Sequence, residues 1–189
     1  MCRASLSVSG YHNVYNALAT AAAAYVSGIS ADKIKTGLEA FCGASRRMEY
    51  KGSLSGARVY DDYGHHPTEV KTTLEGAAAM CEAGGRLICA FQSHTYTRTK
   101  EFLYDFVDAL SIADKVLSVD IYSARETDTL GVSAKLIAEL IGDKAIYTPA
   151  FEDASGAILS EARKGDVVIV MGAGDIYKVF DHLSDKFDK

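Results

Sequence analysis

Three features that this sequence lacks narrow the range of functions it can have. Its longest nearly apolar stretch, ALATAAAAYV, has ten residues, which is too short to span a bilayer. The start, MCRASLSVSG, contains no apolar core, so we expect no signal peptide. The 20 Lys and Arg residues are scattered among 25 Asp and Glu residues, and the basic stripe that a nucleic-acid surface needs is missing. We therefore expect neither membrane insertion nor a nucleic-acid partner.

Sequence signatures of metal sites and nucleotide-phosphate sites are missing as well. The cysteines form no CxxC pair, and the spacing of the histidines is not one that zinc sites use, so we predict no metal site. We expect Cys2, Cys42, Cys81 and Cys89 to be buried thiols in a reduced, cytoplasmic protein. Neither GxxxxGKS nor GxxxxGKT occurs anywhere, so the chain has no recognisable cradle for the β- and γ-phosphates of ATP.

The pattern of what is present divides the chain near residue 45. An alanine-rich helix is predicted from Asn13 to about Val26, with Gly28 suited to end it, and Ser30 is placed to cap a second helix, ADKIKTGLEAF. Two short helices cannot bury their apolar faces on each other alone. Residues 1–44 are thus either the tail of a domain whose main part is absent or a segment that docks on the rest of this chain.

From residue 45 onward, strand and helix patterns alternate. A hairpin is predicted around Ser55 and Gly56, and a helix starts near Pro67 and can end at Gly84. A further helix is predicted from Lys100 to Ile112. The remaining segments read as strands in RLICAFQ, KVLSVDIY, AIYTP and DVVIVMGAG, and as helices in SAKLIAELI, FEDASGAILSEARKG and DIYKVFDHL. This alternation predicts an α/β fold with a mostly parallel sheet flanked by helices.

Polar and titratable residues follow four of the predicted strands. They are Asp61, Asp62, Tyr63, His65 and His66 after ARVY; Gln92, His94, Tyr96 and Arg98 after RLICAF; Ser123, Arg125 and Glu126 after KVLSVDIY; and Gly172, Ala173, Gly174 and Asp175 after DVVIVM. In parallel sheets, ligands bind beyond the carboxyl ends of the strands. We therefore expect a binding or active site at this edge.

Each of these groups also has a structural interpretation. The histidine pair precedes a helix and can cap it, and Arg98 can form a surface salt bridge instead of binding a carboxylate or phosphate. Adjacent strand residues point to opposite faces, so at most one of Asp61 and Asp62 faces the site. MGAGDI starts like a dinucleotide fingerprint but has Tyr177 at the third glycine position, although its backbone N–H groups remain able to hold an anion.

Six segments, in their order and spacing, carry a family resemblance. They are GYHNVYNALATAAA, FCGASRRME, DDYGHHPTEV, FQSHTYTRT, DIYSARE and MGAGDIY. Together they resemble the C-terminal third of the Mur ligases, from about Leu6 to Tyr177, and within that family the branch that adds L-alanine. The resemblance implies that residues 1–44 end the ATP-binding central domain and that 45–189 form a Rossmann-like, amino-acid-binding C-terminal domain. It also accounts for the missing phosphate cradle.

The resemblance further implies a reaction and its participants. ATP phosphorylates the carboxylate of UDP-N-acetylmuramate, and the amine of L-alanine displaces phosphate from the acyl phosphate in a step of peptidoglycan synthesis. Mg²⁺ is expected to be bound mainly by the central domain. The N-terminal and central domains of the same enzyme are then partners of this chain, which by itself is expected to be inactive.

Roles transfer by resemblance to individual positions. Four residues match the family's nucleotide contacts: His12 and Asn13 against the adenine, Arg47 (next to Arg46) from the interdomain linker, and Asp62 beside the ribose. Four match the seat of the incoming amino acid: Tyr63 and His65 beside it, and His94 and Arg98 on its carboxylate. Of these, His65, His94 and Arg98 are the candidate catalytic residues.

Three points qualify this assignment. His66 is interpreted as structural. Many family members have proline at Ser93 and arginine at Thr95, so Arg98 has to supply more of the carboxylate contact here. The ligase that recycles murein tripeptide shares the histidine motif but has an EPRSN-like segment in place of FQSHTYTRT, and a free-standing nucleotide- or amino-acid-binding module is the alternative from another class.

Overall fold

A computed structural model describes residues 3–8 and 11–188, with the backbone alone for residues 11 and 12. The chain forms two compact units, Met1–Ser45 and Arg46–Lys189. Within the described residues, no helix has the length and apolar character needed to cross a membrane.

The first unit consists of two helices, α1 (Tyr11–Val26) and α2 (Ala31–Ala40). Gly28 follows α1 with φ +83°, as predicted for a residue that ends a helix in the left-handed conformation. Ser30 precedes α2 but makes no side-chain cap hydrogen bond, and no residue of α2 is buried. Large apolar side chains of this unit stay exposed: Val14, Tyr15, Leu18, Tyr25, Val26, Ile29 and Phe41.

The second unit is built on one six-stranded sheet. Its strands are β1 (Glu49–Leu54), β2 (Ala57–Asp62), β3 (Leu87–His94), β4 (Lys115–Tyr122), β5 (Ala145–Tyr147) and β6 (Val167–Met171). The order across the sheet is β1-β2-β6-β3-β4-β5, in which β1 runs antiparallel to β2 and every other neighbouring pair is parallel. The predicted mostly parallel sheet is confirmed, and β3 and β6 at its centre are almost entirely buried.

Helices cover both faces of this sheet. They are α3 (Pro67–Ala78), α4 (Tyr96–Glu101), α5 (Leu103–Leu110), α6 (Ala134–Ile141), α7 (Phe151–Glu161) and a 3-10 helix (Ile176–His182). On one face Leu74 and Phe106 pack with Phe91 of β3, and on the other Ile158 and Val179 pack with strand residues. Full burial of a side chain of this size contributes about 1.5–3 kcal/mol, so the two apolar layers hold the sheet and with it the strand ends.

Three predicted helices differ from the observed ones. The segment expected to be helical from Lys100 to Ile112 starts earlier and breaks at Phe102, whose ring packs on His66 with 4.9 Å between ring centroids. The helix from Pro67 ends at Ala78 rather than near Gly84, because the following residues are drawn to the loop before β6, where Glu82 N donates to the carbonyl of Gly165. DIYKVFDHL forms a 3-10 helix.

The predicted hairpin turn between β1 and β2 is present, and residues far along the chain contact it. Ser55 and Gly56 both have positive φ, at 52° and 79°. The carboxylate of Asp188 accepts hydrogen bonds from both of their backbone amides, at 3.1 and 2.9 Å. The ring of Phe187 lies over Gly52, where an added Cβ would come within 2.7 Å of the ring. Residues near the C-terminus thus complete the hairpin.

Candidate functional site

The carboxyl ends of β2, β6, β3 and β4 lie side by side in the sheet, as the sequence predicts. His94 ends β3 beyond a register irregularity with β4. Thr95 follows with φ +68°, a left-handed conformation that is unusual for a β-branched residue. Its amide donates to the carbonyl of Tyr122 at 2.8 Å. The chain therefore turns sharply at this edge and brings α4 over the strand ends.

Four rings form a continuous row at this edge. Tyr63 and His65 have centroids 5.6 Å apart, His65 and His94 are 6.1 Å apart, and His94 stacks on Tyr122 at 5.3 Å. His65 Nδ1 lies 3.2 Å from the carbonyl of Tyr63 and 3.4 Å from the carboxylate of Glu69. The structure thus brings together three of the four residues predicted to receive an amino acid.

The fourth, Arg98, lies one turn into the same segment and provides the charge of the site. Its Nη1 atom and the Nδ1 atom of His94 are buried, and neither has a hydrogen-bond partner among the described residues. Burial, together with the charges of Arg98 and His65, lowers the pKa of His94. Buried polar groups without partners are costly. A cationic guanidinium and a neutral imidazole, each with a nitrogen atom that lacks a hydrogen-bond partner among the described residues, suit a bound carboxylate.

The two aspartates at the end of β2 are engaged in holding the chain. Asp62 is buried and its two oxygens accept from the amides of Gly64 and Met48, at 2.8 and 2.9 Å. Asp61 is also buried, with the Nε atom of Arg46 at 3.3 Å. Burial raises the pKa of both carboxyls. The carboxylate of Asp62 thus already has two backbone partners, and its contact with a ribose remains a prediction.

The two adjacent arginines point in different directions. Arg46 has φ +56° and donates to the carbonyls of Gly172 and Gly174, at 2.6 and 3.3 Å. Its guanidinium lies 5.1 Å from the ring centroids of both Tyr63 and Tyr177. The turn after β6 therefore presents two carbonyl oxygens to a cation. The sequence suggested the N–H groups of this turn as an anion site and Arg47 as a nucleotide contact. It did not indicate that the side chain of Arg46 binds the carbonyl oxygens of the turn.

The predicted nucleotide residues are distributed over both units. Arg47 is half-exposed, with Nη1 at 3.7 Å from the carboxylate of Glu69. Asn13 belongs to α1 of the first unit, and the side chain of His12 lies outside the described residues. Their roles stay predictions.

His66 has the structural role that the sequence suggested. It precedes α3 and its Nδ1 accepts from the amide of Thr68 at 3.3 Å, while its own amide donates to Glu69 at 3.3 Å. Pro67 occupies the first turn as predicted. The histidine pair thus divides into one residue that caps a helix and one, His65, that faces the site.

A cavity of about 460 Å³ adjoins the ring row through Tyr122. Its lining includes the carboxylates of Asp120, Glu152 and Asp175. It also includes Gln92, which is 4% exposed and whose Oε1 atom has no partner among the described residues. The three carboxylates each have a partner, which is Tyr147 for Asp120, His182 for Glu152 and Lys178 for Asp175. Gln92 Oε1 is therefore the lining acceptor that the described residues leave open.

The cysteines agree only in part with the sequence expectation. Cys89 is buried, and burial raises its pKa, while Cys81 is half-buried. Cys42 is exposed, so the expectation of a buried thiol is wrong there; Cys2 lies outside the described residues. Among residues 3–8 and 11–188, no three His, Cys, Asp or Glu side chains group closely enough to hold a metal ion.

Comparison with known proteins matches both the sequence and the fold. The profile of the family described as Mur ligase, glutamate ligase domain, matches residues 46–174. A UDP-N-acetylmuramate–L-alanine ligase of Agathobacter rectalis is 46% identical over 184 residues, which cover 96% of this chain and 40% of the relative. A protein of the same name from Mycolicibacterium smegmatis is 46% identical over 172 residues, or 90% of this chain and 36% of the relative. The chain spans about two fifths of the length of such relatives.

Solved structures give the same picture. The UDP-N-acetylmuramate-alanine ligase of Thermotoga maritima superposes with a TM-score of 0.76 at 26% identity, covering 98% of this chain and 40% of that one. A murein peptide ligase from Psychrobacter arcticus superposes with a TM-score of 0.70 at 28% identity, covering 97% and 38%.

Proposed function

The chain belongs to the Mur ligase, glutamate ligase domain family, and on that basis we propose that it is the C-terminal part of an ATP-dependent ligase that adds L-alanine to UDP-N-acetylmuramate. The family resemblance drawn from the sequence is thereby confirmed. In this proposal the protein acts in peptidoglycan synthesis in the cytoplasm. Its substrates are UDP-N-acetylmuramate, L-alanine and ATP.

The domain assignment follows from the same argument. We assign residues 1–44 to the end of the ATP-binding central domain and 45–189 to the amino-acid-binding domain. The exposed apolar side chains of α1 and the absence of a phosphate cradle from the sequence support this assignment. The N-terminal and central domains of the same polypeptide are the expected partners.

One observation carries the assignment of the site. The Nδ1 atom of His94, the last residue of β3, and the Nη1 atom of Arg98 in α4 are both buried and have no hydrogen-bond partner among the described residues. The charge of Arg98 acts on His94 and lowers its pKa. A carboxylate is the group that completes both, since it accepts in-plane hydrogen bonds from guanidinium. L-alanine carries a carboxylate and an amine, and Gln92 Oε1, in the lining of the cavity that adjoins Tyr122, is an acceptor without a partner among the described residues.

The chemistry of the step assigns roles to these side chains. ATP supplies the phosphoryl group that converts the muramate carboxylate into an acyl phosphate. The amine of L-alanine must be neutral when it attacks the acyl carbon, so it has to lose a proton. In the folded chain burial and Arg98 favour the neutral form of His94, and His65 lies beside it. These two imidazoles are the candidate acceptors of that proton, and Arg98 orients the nucleophile.

The nucleotide contacts are assigned to His12, Asn13, Arg47 and Asp62. Arg47 suits this role best because its guanidinium is half-exposed and held only loosely by Glu69. Mg²⁺ does not fit the described residues: the oxygens of Asp62 are taken by backbone amides, and no cluster of ligands is present among the described side chains.

There are two alternatives to this function, and the first of them differs from it in the amine that is joined to the sugar nucleotide. The murein tripeptide ligase reaction is supported by the similarity to the Psychrobacter arcticus protein, and FQSHTYTRT in place of an EPRSN-like segment argues against it. A free-standing binding module is favoured by the missing phosphate cradle alone.

Phosphate release distinguishes all three. The protein encoded by the upstream gene segment together with this chain should release phosphate from ATP in the presence of UDP-N-acetylmuramate and L-alanine. The 189-residue chain alone should release none. Release with the tripeptide L-alanyl-γ-D-glutamyl-diaminopimelate but not with L-alanine would identify the recycling ligase. A stop codon directly upstream, with L-alanine or nucleotide binding to the chain alone, would favour the module.

A further inference from the structure

Glu126 makes a two-point contact with the helix that carries Arg98. Its Oε2 atom accepts from the amide of Thr97 at 2.9 Å, and its Oε1 atom accepts from the hydroxyl of the same residue at 2.7 Å. These two hydrogen bonds lower the pKa of Glu126. Arg98 is the next residue along the chain. A carboxylate from the turn after β4 thus holds the start of α4 at the residue that precedes Arg98 in the sequence.

The segments joined by this contact are both conformationally strained. Thr95 has φ +68° and Ala124 has φ +54°, and neither is a glycine. Non-glycine residues persist in this strained region of backbone conformation where surrounding contacts fix them. Contacts that fix this region include the hydrogen bond from Thr95 N to the carbonyl of Tyr122 and the two hydrogen bonds from Thr97 to Glu126. Hydrogen bonds within the start of α4, such as Arg98 N to Thr95 Oγ1, add to them. Removal of the Glu126 carboxylate removes its two hydrogen bonds to Thr97 and leaves the bond to Tyr122.

We infer that Glu126 is a positioning residue, which holds the start of α4 and thereby aims Arg98 and His94 at the carboxylate of an amino-acid substrate. The inference rests on the proposed function only for the identity of the ligand, since the contact itself belongs to this chain. In this role Glu126 is not a substrate contact, because both of its carboxylate oxygens accept from Thr97. It acts through Thr97 on the geometry of the site.

A second consequence concerns the charge around His94. The groups that face its ring are Arg98 from α4, His65 from the segment before α3, Glu126 from the turn after β4 and the ring of Tyr122. Arg98 and His65 oppose protonation of His94, and Glu126 favours it. Neutralising Glu126 therefore removes the negative charge that faces this imidazole, while conservative replacement by aspartate keeps it.

The first test uses the 189-residue chain and follows the ring resonances of His94 by NMR between pH 4.5 and 8. Glu126→Gln is expected to lower the pKa of His94 further and to shift the side-chain N–H resonance of Arg98. Glu126→Asp should restore the pKa toward the wild-type value. Glu139→Gln is the matched control, because Glu139 lies on the exposed face of α6 with its partner, Lys135, at 3.8 Å. This control should leave both resonances unchanged.

The second test uses the full-length ligase that contains this chain. Glu126→Gln is expected to raise the KM for L-alanine about tenfold, the order expected when a reactant is held less well in place, with the KM for ATP unchanged. Thr97→Val keeps the backbone bond and loses the hydroxyl bond, so its effect should be smaller. The double variant should be less than additive, because both changes remove the same contact.

The two tests fail independently. An unchanged His94 titration and unchanged Arg98 resonance in Glu126→Gln would overturn the positioning role, whatever the enzyme does. A wild-type full-length protein without alanine-dependent phosphate release would contradict the proposed function, while the NMR result on the chain would still decide the role of Glu126. An equal rise in the KM for ATP and L-alanine would also count against positioning.

Discussion

Replacement of Arg98 by alanine tests the carboxylate seat most directly. Alanine keeps the helix, since the two backbone hydrogen bonds of this position, Arg98 N to Thr95 Oγ1 and Phe102 N to the Arg98 carbonyl, do not involve the side chain. What is lost is the cation whose Nη1 atom is buried and has no hydrogen-bond partner in the part of the chain that the structure describes. The change is therefore expected to act on ligand binding and not on the fold.

The size of the effect follows from the bond that Arg98 is proposed to make. A hydrogen bond to a charged group contributes about 1.5–3 kcal/mol. Because the Nη1 atom of Arg98 is buried, we take the upper part of this range, about 2–3 kcal/mol, for the loss, which corresponds to a rise of about 30- to 150-fold in the KM for L-alanine. Arg98→Lys keeps the charge but not the planar fork, so its KM should fall between those of wild type and Arg98→Ala.

The assay is steady-state phosphate release by the full-length ligase, with L-alanine varied at saturating ATP and then the reverse. Lys100→Ala is the control, because Lys100 lies two residues further along the same helix with an exposed side chain. A KM for L-alanine within twofold of wild type, or a change confined to the KM for ATP, would refute the assignment of Arg98.

Three further predictions concern the folded chain and are measured by urea unfolding. Gly172→Ala would place Cβ within 2.6 Å of a backbone carbonyl at φ +154°, so a loss well above 1 kcal/mol is expected, whereas Gly156→Ala, in open space within α7, should gain about 0.5–1 kcal/mol; equal effects would contradict the close approach. Arg86→Met leaves the buried carboxylate of Asp166 without its ion-pair partner and should cost about 3 kcal/mol; a loss below 1 kcal/mol would show that the pair is not needed. The pKa of His94 in the folded chain is lowered from its usual 6.5, so below about pH 6.5 the unfolded chain binds more protons than the folded chain. The contribution of His94 to stability is therefore present above about pH 6.5 and is lost as pH falls through the folded pKa. His94→Gln should make the fall in stability with pH less steep, and an unchanged slope would contradict this prediction.

The sequence predicted those parts of the fold that depend on local pattern. Ser55 and Gly56 formed the expected turn, Pro67 began the expected helix, and the alternation of strands and helices gave the mostly parallel sheet. The carboxyl edge of the sheet could be located in the same way, because the position of a strand end is set by the strand itself. For this reason His65, His94 and Arg98 are predictable as residues of this edge, whereas their roles come from the family resemblance and stay predictions.

Long-range contacts could not be predicted from pattern. Arg46 and Arg47 are identical residue types, so the sequence does not show which of them turns inward. In the structure Arg46 and Met48 have positive φ, and the amide of Met48 donates to Asp62, which is 14 residues away. Glu126 was visible as a polar residue after a strand, but its partner lies 29 residues away. The break at Phe102 likewise depends on the position of the His66 ring.

The closure of the β1–β2 hairpin by the C-terminal segment has a practical consequence for handling the protein. A fusion partner or affinity tag that replaces the chain from Asp188 onward would remove the carboxylate that accepts from the amides of Ser55 and Gly56. Trypsin cleavage after Lys186 would release the same carboxylate together with the ring that covers Gly52. Any appended sequence therefore has to begin beyond Asp188, and an intact mass that includes this residue is a useful quality criterion for each preparation.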